Sequence, residues 1–280
     1  MNAPAELRKL LEQPGLIRAP GVFDGLGAHL VRGAGFPAAY LTGAGISVSG
    51  YGLPDIGLVT GTEMADRAAM IAEASGLPVI ADADTGYGNA LNVTRTVRAY
   101  ERAGIAAIQL EDQVFPKRCG HLAGKDVVSA AEFTGKLRAA LDARQADTVI
   151  IARTDARATS GIDEAIERAN KYAAEGADVI FVEAPESRAE IERVAAEVSV
   201  PLLFNVVPGG RSPEISDADL ERLGFRIAIY PGALLGPAAT AMATALARMG
   251  GHEIAEPTGP AGIFGLAGLG EWLELDQRYR

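Results

Sequence analysis

One unit recurs along the chain: an alanine-rich helical pattern, a glycine, and a short apolar run that ends in polar residues. Five segments show the whole unit, namely GAGFPAAYLTGAG, ASGLPVIADADTG, RAGIAAIQLEDQ, AEGADVIFVEAPE and RLGFRIAIYPGA. The glycine suits the left-handed position that ends a helix, and the apolar run is typical of a strand buried on both faces. APGVFDG, DTVIIARTDA and SVPLLFNVVPGG add further runs of this form, so the set reaches eight.

The recurring unit predicts an α/β protein in which strands and helices alternate. The predicted strands lie at residues 17–22, 38–42, 78–82, 106–111, 148–153, 178–183, 201–205 and 226–230. Predicted helices include Glu63–Ala74, Leu91–Arg102, Ala130–Ala143, Ile162–Glu175, Arg188–Val198 and Asp217–Leu223. Eight such units favour a parallel sheet closed into a (β/α)8 TIM barrel over an open doubly wound sheet. We expect residues 1–280 to form this single domain, with residues from about 250 to 280 as a C-terminal extension that packs on the barrel or on a neighbouring subunit.

Charge and cysteine content narrow the classes of partner. The chain has 26 Lys and Arg against 36 Asp and Glu, a formal net charge of −10, and therefore lacks the basic face that nucleic acid requires. Its single cysteine cannot form an internal disulfide, which fits a reducing cytosol. Residues 33–54 hold too many glycines and polar residues for a membrane helix, and they are predicted to form strand and loop. We expect a cytoplasmic protein that binds neither nucleic acid nor membranes.

Polar residues cluster where the predicted strands end. They are Thr42, Asp82, Asp84, Glu111, Asp112, Arg153, Asp155, Glu183 and Asn205. In a barrel these ends meet at one mouth, where the active sites of this fold lie. Burying so many carboxylates together is unfavourable unless a cation or an arginine compensates their charge. The clustering therefore predicts a functional site.

The segment DADTGYG places Asp82 and Asp84 two residues apart at a strand end. Together with Glu111 and Asp55, which are predicted on the same face, they suit a hard cation with oxygen ligands, such as Mg²⁺. The alternative is that one aspartate caps the next helix and the other is only solvated.

A long glycine-flanked loop after the fourth strand carries Lys117, Arg118, Cys119, Gly120 and His121. Loops of this kind often close over substrate as lids. Cations beside a thiol can lower its pKa, so Cys119 could exchange protons near neutrality. The alternative is an incidental buried cysteine. His29, on a helical pattern, and His252, in the tail, are assigned to no chemistry.

Arg153 and Asn205 end two other predicted strands and could hold a substrate carboxylate. Arg153 could instead only neutralise Asp155 or Glu183. The segment NVVPGGRSP, residues 205–213, could cradle an anion with its backbone N–H groups, or its glycines could simply form turns.

The motifs YLTGAG, DADTGYG, QLEDQVFPKRCGH, IARTDA, FVEAP and FNVVPGG occur in the order seen in the isocitrate lyase/phosphoenolpyruvate mutase superfamily, which the chain resembles from about residue 16 to 240. The resemblance implies a (β/α)8 barrel whose eighth helix is swapped between subunits of a homo-oligomer, a dimer or a tetramer. It also implies Mg²⁺, with Mn²⁺ as a possible substitute, and small α-oxycarboxylate substrates. Carried over by motif, Asp82 and Asp84 hold the metal, and Asp55 and Glu111 reach it mainly through water. The implied substrate contacts are Tyr40, Thr42, Gly43, Ala44, Cys119, Gly120, Arg153, Glu183 and Asn205.

Within the superfamily, the KRCGH lid resembles that of the carbon–carbon lyases and not that of the phosphorus–carbon branch. Methylisocitrate lyases carry a threonine where this chain has Val207 and a carboxylate-binding arginine where it has Gly236. These two departures, and the GG-x-[ST]-P turn, look more like the 2,3-dimethylmalate and 2-alkylmalate lyases.

The resemblance implies cleavage of a 2-hydroxy dicarboxylate to a 2-oxo acid such as pyruvate and a carboxylic acid. Cys119 would act as general acid, His121 and Glu183 would orient that step, and Arg153 would hold charge on the oxo acid. The alternatives are a 2-methylisocitrate lyase that yields pyruvate and succinate, an oxaloacetate decarboxylase or hydrolase, and a non-catalytic barrel that only binds ligand. A tricarboxylate therefore stays open as substrate.

Overall fold

Eight parallel strands form a closed barrel in a computed structural model that describes residues 2–122, 124–252 and 254–279. Residues 1 and 280, the outer bounds of the predicted domain, lie outside that range. The strands are β1 (Ile17–Val22), β2 (Ala39–Leu41), β3 (Val79–Asp82), β4 (Ala107–Glu111), β5 (Val149–Thr154), β6 (Val179–Val182), β7 (Leu202–Asn205) and β8 (Phe225–Tyr230). Each strand pairs with the next in sequence, and β1 pairs with β8 to close the barrel. The predicted (β/α)8 barrel is confirmed, and every strand boundary lies within one residue of its prediction.

The helices surround the barrel. Those of the described residues are α1 (Ala3–Glu12), α2 (Gly25–Gly33), α3 (Gly43–Tyr51), α4 (Gly61–Ser75), α5 (Ala90–Arg102), α6 (Ala130–Ala143), α7 (Arg157–Ser160), α8 (Ile162–Ala174), α9 (Arg188–Glu197), α10 (Asp217–Leu223), α11 (Leu235–Arg248), α12 (Gly259–Leu266) and α13 (Leu269–Tyr279). Polar caps begin several of them: the Thr60 side chain accepts from the Glu63 N–H, and the Glu63 carboxylate accepts from the Thr60 N–H in return.

The core has two layers, because alternate residues of a strand face opposite sides of the sheet. Ile80, Ile151 and Phe181 belong to the inner cluster that fills the barrel. Ile108 and Ile150 belong to the larger cluster between the strands and the helices. Such burial on both faces is why the strands read as continuous apolar runs.

Residues 43–51 form helix α3, so the prediction of strand and loop throughout residues 33–54 is wrong for this part. The Thr42 hydroxyl accepts from the Gly45 N–H at 3.2 Å and starts the helix, and Gly52, at φ 65°, ends it. The glycines inside are explained by close packing. A Cβ on Gly45 would lie 2.6 Å from Thr42 Cγ2.

Helix α11, the eighth of the barrel's outer ring, is apolar but largely exposed. Leu235 is its one buried residue among those described, whereas Met242 and Leu246 are 61% and 50% exposed. Beyond it, α12 returns to the barrel and buries Ile263 and Phe264 in the outer core cluster. None of the helices in the described residues has the length and apolar character needed to cross a membrane.

Candidate active site

A cavity of about 750 Å³ opens at the carboxyl ends of the strands. Its wall includes most of the predicted site residues: Tyr40, Thr42, Ala44, Asp55, Asp82, Cys119, Gly120, His121, Arg153 and Asn205. Four further predicted residues lie directly behind that wall, and each contacts one of the residues that line it. They are Gly43, Asp84, Glu111 and Glu183. The structure therefore brings these predicted metal, substrate and catalytic residues together at the mouth, where barrel enzymes carry out their chemistry.

An acidic cluster lies at the end of β3. Asp82 Oδ1 accepts from the Asp84 N–H at 3.2 Å and from Gln109 Nε2 at 3.3 Å. The Lys117 ammonium is 2.5 Å from Asp55 Oδ1 and 2.9 Å from Asp84 Oδ1. Asp84 holds the left-handed φ of 47°, an uncommon backbone conformation for a residue with a side chain, of the kind found at functional sites.

Burial controls the protonation of this cluster. Burial raises the pKa of Asp84 to about 7, although Lys117 works against the shift, and it raises the pKa of Asp82 in the same way. For Lys117 the balance is reversed: burial lowers the pKa, but Asp55 and Asp84 outweigh it and hold the ammonium charged. Positive charge among these carboxylates favours their ionised form, and Lys117 supplies part of it.

The donor set fits a hard divalent cation. Asp55, Asp82, Asp84 and Glu111 offer carboxylate oxygens, the ligands that Mg²⁺ prefers. Glu111 Oε1 is buried with no hydrogen-bond partner among the described residues, an unmet acceptor that a cation or its water would satisfy. Within residues 2–122, 124–252 and 254–279, however, no three His, Cys, Asp or Glu side chains are already arranged as a metal cluster. The Lys117 ammonium supplies the positive charge between Asp55 and Asp84 instead.

Arg153 connects three acids. Its Nε and Nη2 atoms bind the two oxygens of Asp155 at 2.8 and 3.0 Å, a bidentate pair. Nη1 lies 3.2 Å from Glu111 Oε2, and Nη2 lies 3.5 Å from Glu183 Oε2. Arg153 thus neutralises Asp155 and Glu183, which was one of the two roles considered for it. It also lines the cavity, so it is placed for the other role, binding a substrate carboxylate.

The lid, of which residues 117–122 and 124–125 are described, lines one side of the cavity with Lys117, Cys119, Gly120 and His121. The Cys119 N–H donates to the Asp55 carbonyl at 3.1 Å. Lys125 Nζ donates to the Gly120 carbonyl at 2.5 Å and lies 2.7 Å from Asp155 Oδ1. A Cβ on Gly120 would lie 2.6 Å from Arg153 Nη2, so only glycine lets the lid backbone approach this closely.

The expectation that neighbouring cations lower the pKa of Cys119 is wrong. Burial raises the pKa of the thiol to about 12, Asp55 adds to the shift, and the attraction of Lys117 is too weak to reverse it. The Arg118 guanidinium turns away to Asp276, 3.1 Å from its carboxylate. Cys119 is therefore a protonated thiol at neutral pH, a proton donor held inside the cavity.

His121 is oriented through both ring nitrogens. Nδ1 accepts from the Arg211 N–H at 3.0 Å, so the ring proton lies on Nε2, which is 3.1 Å from Glu183 Oε1. Burial raises the pKa of Glu183, but Arg153 and His121 outweigh it, so the net pKa lies well below its usual range. Asn205 Nδ2 donates to the same carboxylate at 3.3 Å. Arg211 belongs to segment 205–213, whose backbone N–H groups could cradle an anion. Its N–H is bonded to His121 and is therefore not available to an anion.

Asp112, which the sequence placed at the mouth, faces the other way. It accepts from the hydroxyls of Thr154 and Tyr172 at 2.8 and 2.9 Å, and it pairs with Arg168 at 3.1 Å. Glu111 points into the barrel, so the alternation of a strand turns the next side chain towards the helices.

Two lysine ion pairs at the site are not predicted by the sequence patterns. Lys117 was recognised only as a lid residue and not as the ammonium between Asp55 and Asp84. The link from Lys125 to Asp155 was not foreseen either. The one available signal for Lys125 was a second lysine in the same glycine-flanked loop.

Known proteins with similar sequences belong to the superfamily that the motifs of this chain resemble. The family model described as phosphoenolpyruvate phosphomutase matches residues 7–249. The chain is 52% identical to 2,3-dimethylmalate lyase of Eubacterium barkeri over 86% of this chain and 84% of that protein. It is 46% identical to 2-methylisocitrate lyase of Halalkalibacterium halodurans over 84% of this chain and 77% of that protein.

Solved structures agree with the sequence relatives. Oxaloacetate acetylhydrolase in complex with 3,3-difluorooxalacetate superposes with a TM-score of 0.87 at 40% identity, covering 99% of this chain and 97% of that one. Phosphonopyruvate hydrolase in complex with oxalate and Mg²⁺ gives a TM-score of 0.78 at 31% identity, covering 100% and 99%.

A closed (β/α)8 barrel with a buried acidic centre and a cysteine-bearing lid defines a barrel enzyme that acts on small carboxylates. With these matches, the chain belongs to the isocitrate lyase/phosphoenolpyruvate mutase superfamily. The predicted superfamily is confirmed, and the named lyases among its relatives bear out the expected carbon–carbon lyase.

Proposed function

We propose that the protein is a Mg²⁺-dependent lyase that cleaves a 2-hydroxy dicarboxylate of the 2-alkylmalate or 2,3-dimethylmalate type. The products are a 2-oxo acid such as pyruvate and a carboxylic acid. The observation that carries the proposal is that the protonated Cys119 thiol and the Arg153 guanidinium line the same cavity. The similarity to 2,3-dimethylmalate lyase supports the substrate type.

The metal would be held by Asp82 and Asp84, with Asp55 and Glu111 around it, and Mn²⁺ has the same oxygen chemistry. When bound, it polarises the substrate's 2-hydroxyl and neighbouring carboxylate and lowers the pKa of that hydroxyl. Lys117 already contacts Asp55 and Asp84, so its ammonium shares these carboxylates. The Mg²⁺ in the related phosphonopyruvate hydrolase supports this choice of ion.

The chain's own groups bind and orient the substrate. Arg153 and Asn205 donate to the carboxylate that becomes part of the oxo acid, and Asn205 Oδ1 is a buried acceptor with no partner among the described residues. Tyr40, Thr42, Gly43 and Ala44 border the acidic cluster at the end of β2. Closure of the lid over bound substrate would exclude water from the reacting carbons.

Bond cleavage needs one proton donor. When the C2–C3 bond breaks, the electron pair stays on C3, and the Cys119 thiol gives its proton to that carbon. The proton released from the substrate hydroxyl restores the thiol, so no water is consumed. His121, fixed between Arg211 and Glu183, positions the lid around Cys119, and Arg153 holds the charge of the oxo acid.

Product analysis tests this function. Purified protein with Mg²⁺ is incubated with 2,3-dimethylmalate, 2-ethylmalate, 2-methylisocitrate or oxaloacetate, and proton NMR follows the products with and without EDTA. We expect EDTA-sensitive pyruvate and propionate from 2,3-dimethylmalate. Succinate from 2-methylisocitrate, with no product from the malates, would contradict the proposal.

Oxaloacetate hydrolysis is a second candidate, because the oxaloacetate acetylhydrolase structure is similar over the whole chain. That reaction consumes one water and yields oxalate and acetate, and C3 of the departing acetate also takes up a proton, which the Cys119 thiol could supply. Exclusive formation of oxalate and acetate in the same NMR experiment would favour it.

We also propose that the protein is a homo-oligomer, a dimer or a tetramer, in which α11 packs on a neighbouring subunit. The exposed side chains of Met242 and Leu246 on this apolar helix support the proposal. Light scattering tests it: Met242→Lys together with Leu246→Lys should lower the molar mass, and an unaltered monomer in both proteins would contradict it. The free Cys119 thiol that the mechanism needs supports a cytoplasmic location.

A further inference from the structure

The wall of the active-site cavity has two chemically different parts. Asp55, Asp82, Lys117 and Arg153 line it at the strand ends. The start of α11 and the segment 256–264 line the rest with hydrocarbon side chains. We call this second part the apolar wall and define it by Leu235, Pro237, Ala241, Pro257, Ile263 and Phe264.

The apolar wall offers nothing to a further carboxylate. The residues that α11 and segment 256–264 contribute to the cavity include no Lys, Arg or His, and the one charged residue is Glu256. Glu256 Oε1 lies 3.4 Å from the Thr240 hydroxyl and adds negative charge to this region. The two cations that line the cavity, Lys117 and Arg153, are both paired with carboxylates at the strand ends. A carboxylate that reached the apolar wall would therefore find no cation there to pair with.

The cavity is also larger than 2,3-dimethylmalate, the substrate that the sequence similarity supports. 2,3-Dimethylmalate has eleven non-hydrogen atoms; at about 30 Å³ each, the share of one water molecule in the liquid, it takes up about 330 Å³. The cavity measures about 750 Å³, so more than half of it stays open to a longer substituent.

We infer that the apolar wall is a subsite for a hydrocarbon chain of about two to four carbons on the 2-hydroxy dicarboxylate, with Ile263 and Phe264 as its specificity-determining residues. The inference rests on the proposed function, because the dicarboxylate must be held at the strand ends for the chain to reach the wall. Each further methylene buried there should tighten binding about fourfold.

Calorimetric titration with unreactive ligands tests the subsite. Methyl-, ethyl-, propyl- and butylsuccinate are titrated into the protein with Mg²⁺, and tricarballylate serves as the tricarboxylate. We expect the dissociation constant to fall about fourfold per methylene as far as propyl, and tricarballylate to bind more weakly than ethylsuccinate. Equal affinities along the series, or tighter tricarballylate binding, would overturn the inference. Because these ligands do not react, the result stands whether or not the malates are cleaved, and turnover of the malates tests the proposed function separately.

Two variants of the wall sharpen the test. Ile263→Ala, at an 8% exposed position, should weaken propylsuccinate binding about fivefold or more and change methylsuccinate binding less than about twofold. Ile254→Ala is the matched control, because Ile254 precedes the same segment but is 42% exposed and outside the cavity wall. If Ile263→Ala reduced the affinities for propylsuccinate and methylsuccinate equally, Ile263 would not determine the preferred length of the substrate's hydrocarbon chain.

The second variant needs no core residue. A Cβ on Gly236 meets no atom within 4 Å, so Gly236→Arg has room to place a guanidinium at the apolar wall. It should weaken butylsuccinate and strengthen tricarballylate by about tenfold each, the size of one charge-assisted contact. An unchanged order of affinities would contradict the subsite even if Ile263→Ala fails to fold.

Discussion

His121 Nε2 lies 3.1 Å from Glu183 Oε1, and this contact joins the lid to the end of β6. The histidine belongs to the same loop as Cys119, and the glutamate contacts Arg153 at 3.5 Å. One carboxylate therefore orients both the loop that carries the proton donor and the arginine that faces the substrate.

Glu183 should contribute stability with a defined pH dependence. Its pKa in the folded protein lies below the ordinary value of 4.5; although burial raises it, Arg153 and His121 outweigh burial. A carboxyl with a lowered pKa stabilises the fold above its unfolded pKa, and this contribution is lost as the pH falls through the folded value. The difference in free energy of unfolding between the protein and Glu183→Gln should be constant from about pH 6 to about pH 8 and should shrink below about pH 4.5.

Urea unfolding at several pH values measures this difference. Glu167→Gln, at an exposed position on α8, is the control, and its effect should be within about 0.5 kcal/mol of zero. If the difference in unfolding free energy for Glu183→Gln grew as the pH fell, the lowered pKa of Glu183 in the folded protein would be contradicted.

Cys119→Ser should abolish turnover without loss of the site. A serine hydroxyl is a much weaker acid than a thiol, and loss of a general acid reduces kcat by about 10²- to 10⁴-fold. Methylsuccinate binding in the presence of Mg²⁺ should stay within about twofold of the unmodified protein, because serine is nearly the same size as cysteine and leaves Arg153 and Asn205 unchanged. A residual rate above about one tenth of the original would remove Cys119 from the mechanism.

Gly43→Ala should weaken metal binding. An alanine Cβ at this position would lie 2.7 Å from Asp82 Oδ2, so the carboxylate would have to move. Displaced supporting groups typically lower metal affinity about 10- to 100-fold, and titration calorimetry with Mg²⁺ measures the change. Gly33→Ala, where a Cβ meets no atom within 4 Å, is the control and should bind Mg²⁺ normally. Equal affinities in the two variants would argue against Asp82 as a ligand.

Lys125→Met should loosen the lid. The side chain is 2% exposed and its ammonium contacts both the Gly120 carbonyl and Asp155, so its loss leaves buried acceptors without their charged donor. Hydrogen bonds to charged groups contribute about 1.5–3 kcal/mol, and we expect a loss of unfolding free energy of about that size together with a lower kcat/KM. Lys171→Met, at an exposed position on α8, should change neither quantity. Identical behaviour of the two variants would show that the lid does not depend on Lys125.

The barrel strands could be predicted because each is a short apolar run, and every one except β5 begins shortly after a glycine or a proline. Helix α3 could not, because Gly43 and Gly45 are required by close contacts with Asp82 and Phe23 that only the folded chain shows. The outward direction of the Asp112 side chain could have been predicted from strand alternation, because the neighbouring Glu111 faces the cavity.

The protonation state of Cys119 shows what sequence neighbours fail to indicate. Lys117 and Arg118 are adjacent in the chain, but one pairs with Asp55 and the other with Asp276. Burial, which no local pattern reports, then determines the pKa of the thiol. The metal ligands, the catalytic roles and the single-domain boundaries stay predictions.

The most direct measurement of the central claim is proton NMR of the reaction with 2,3-dimethylmalate and Mg²⁺ in D₂O. If the C2–C3 bond breaks and Cys119 delivers a solvent-exchanged proton to C3, the products are unlabelled pyruvate and propionate with one deuterium at C2. Cys119→Ser should form neither product at a comparable rate. Loss of CO₂, or deuterium delivered to pyruvate with unlabelled propionate, would contradict carbon–carbon cleavage with protonation by the lid cysteine.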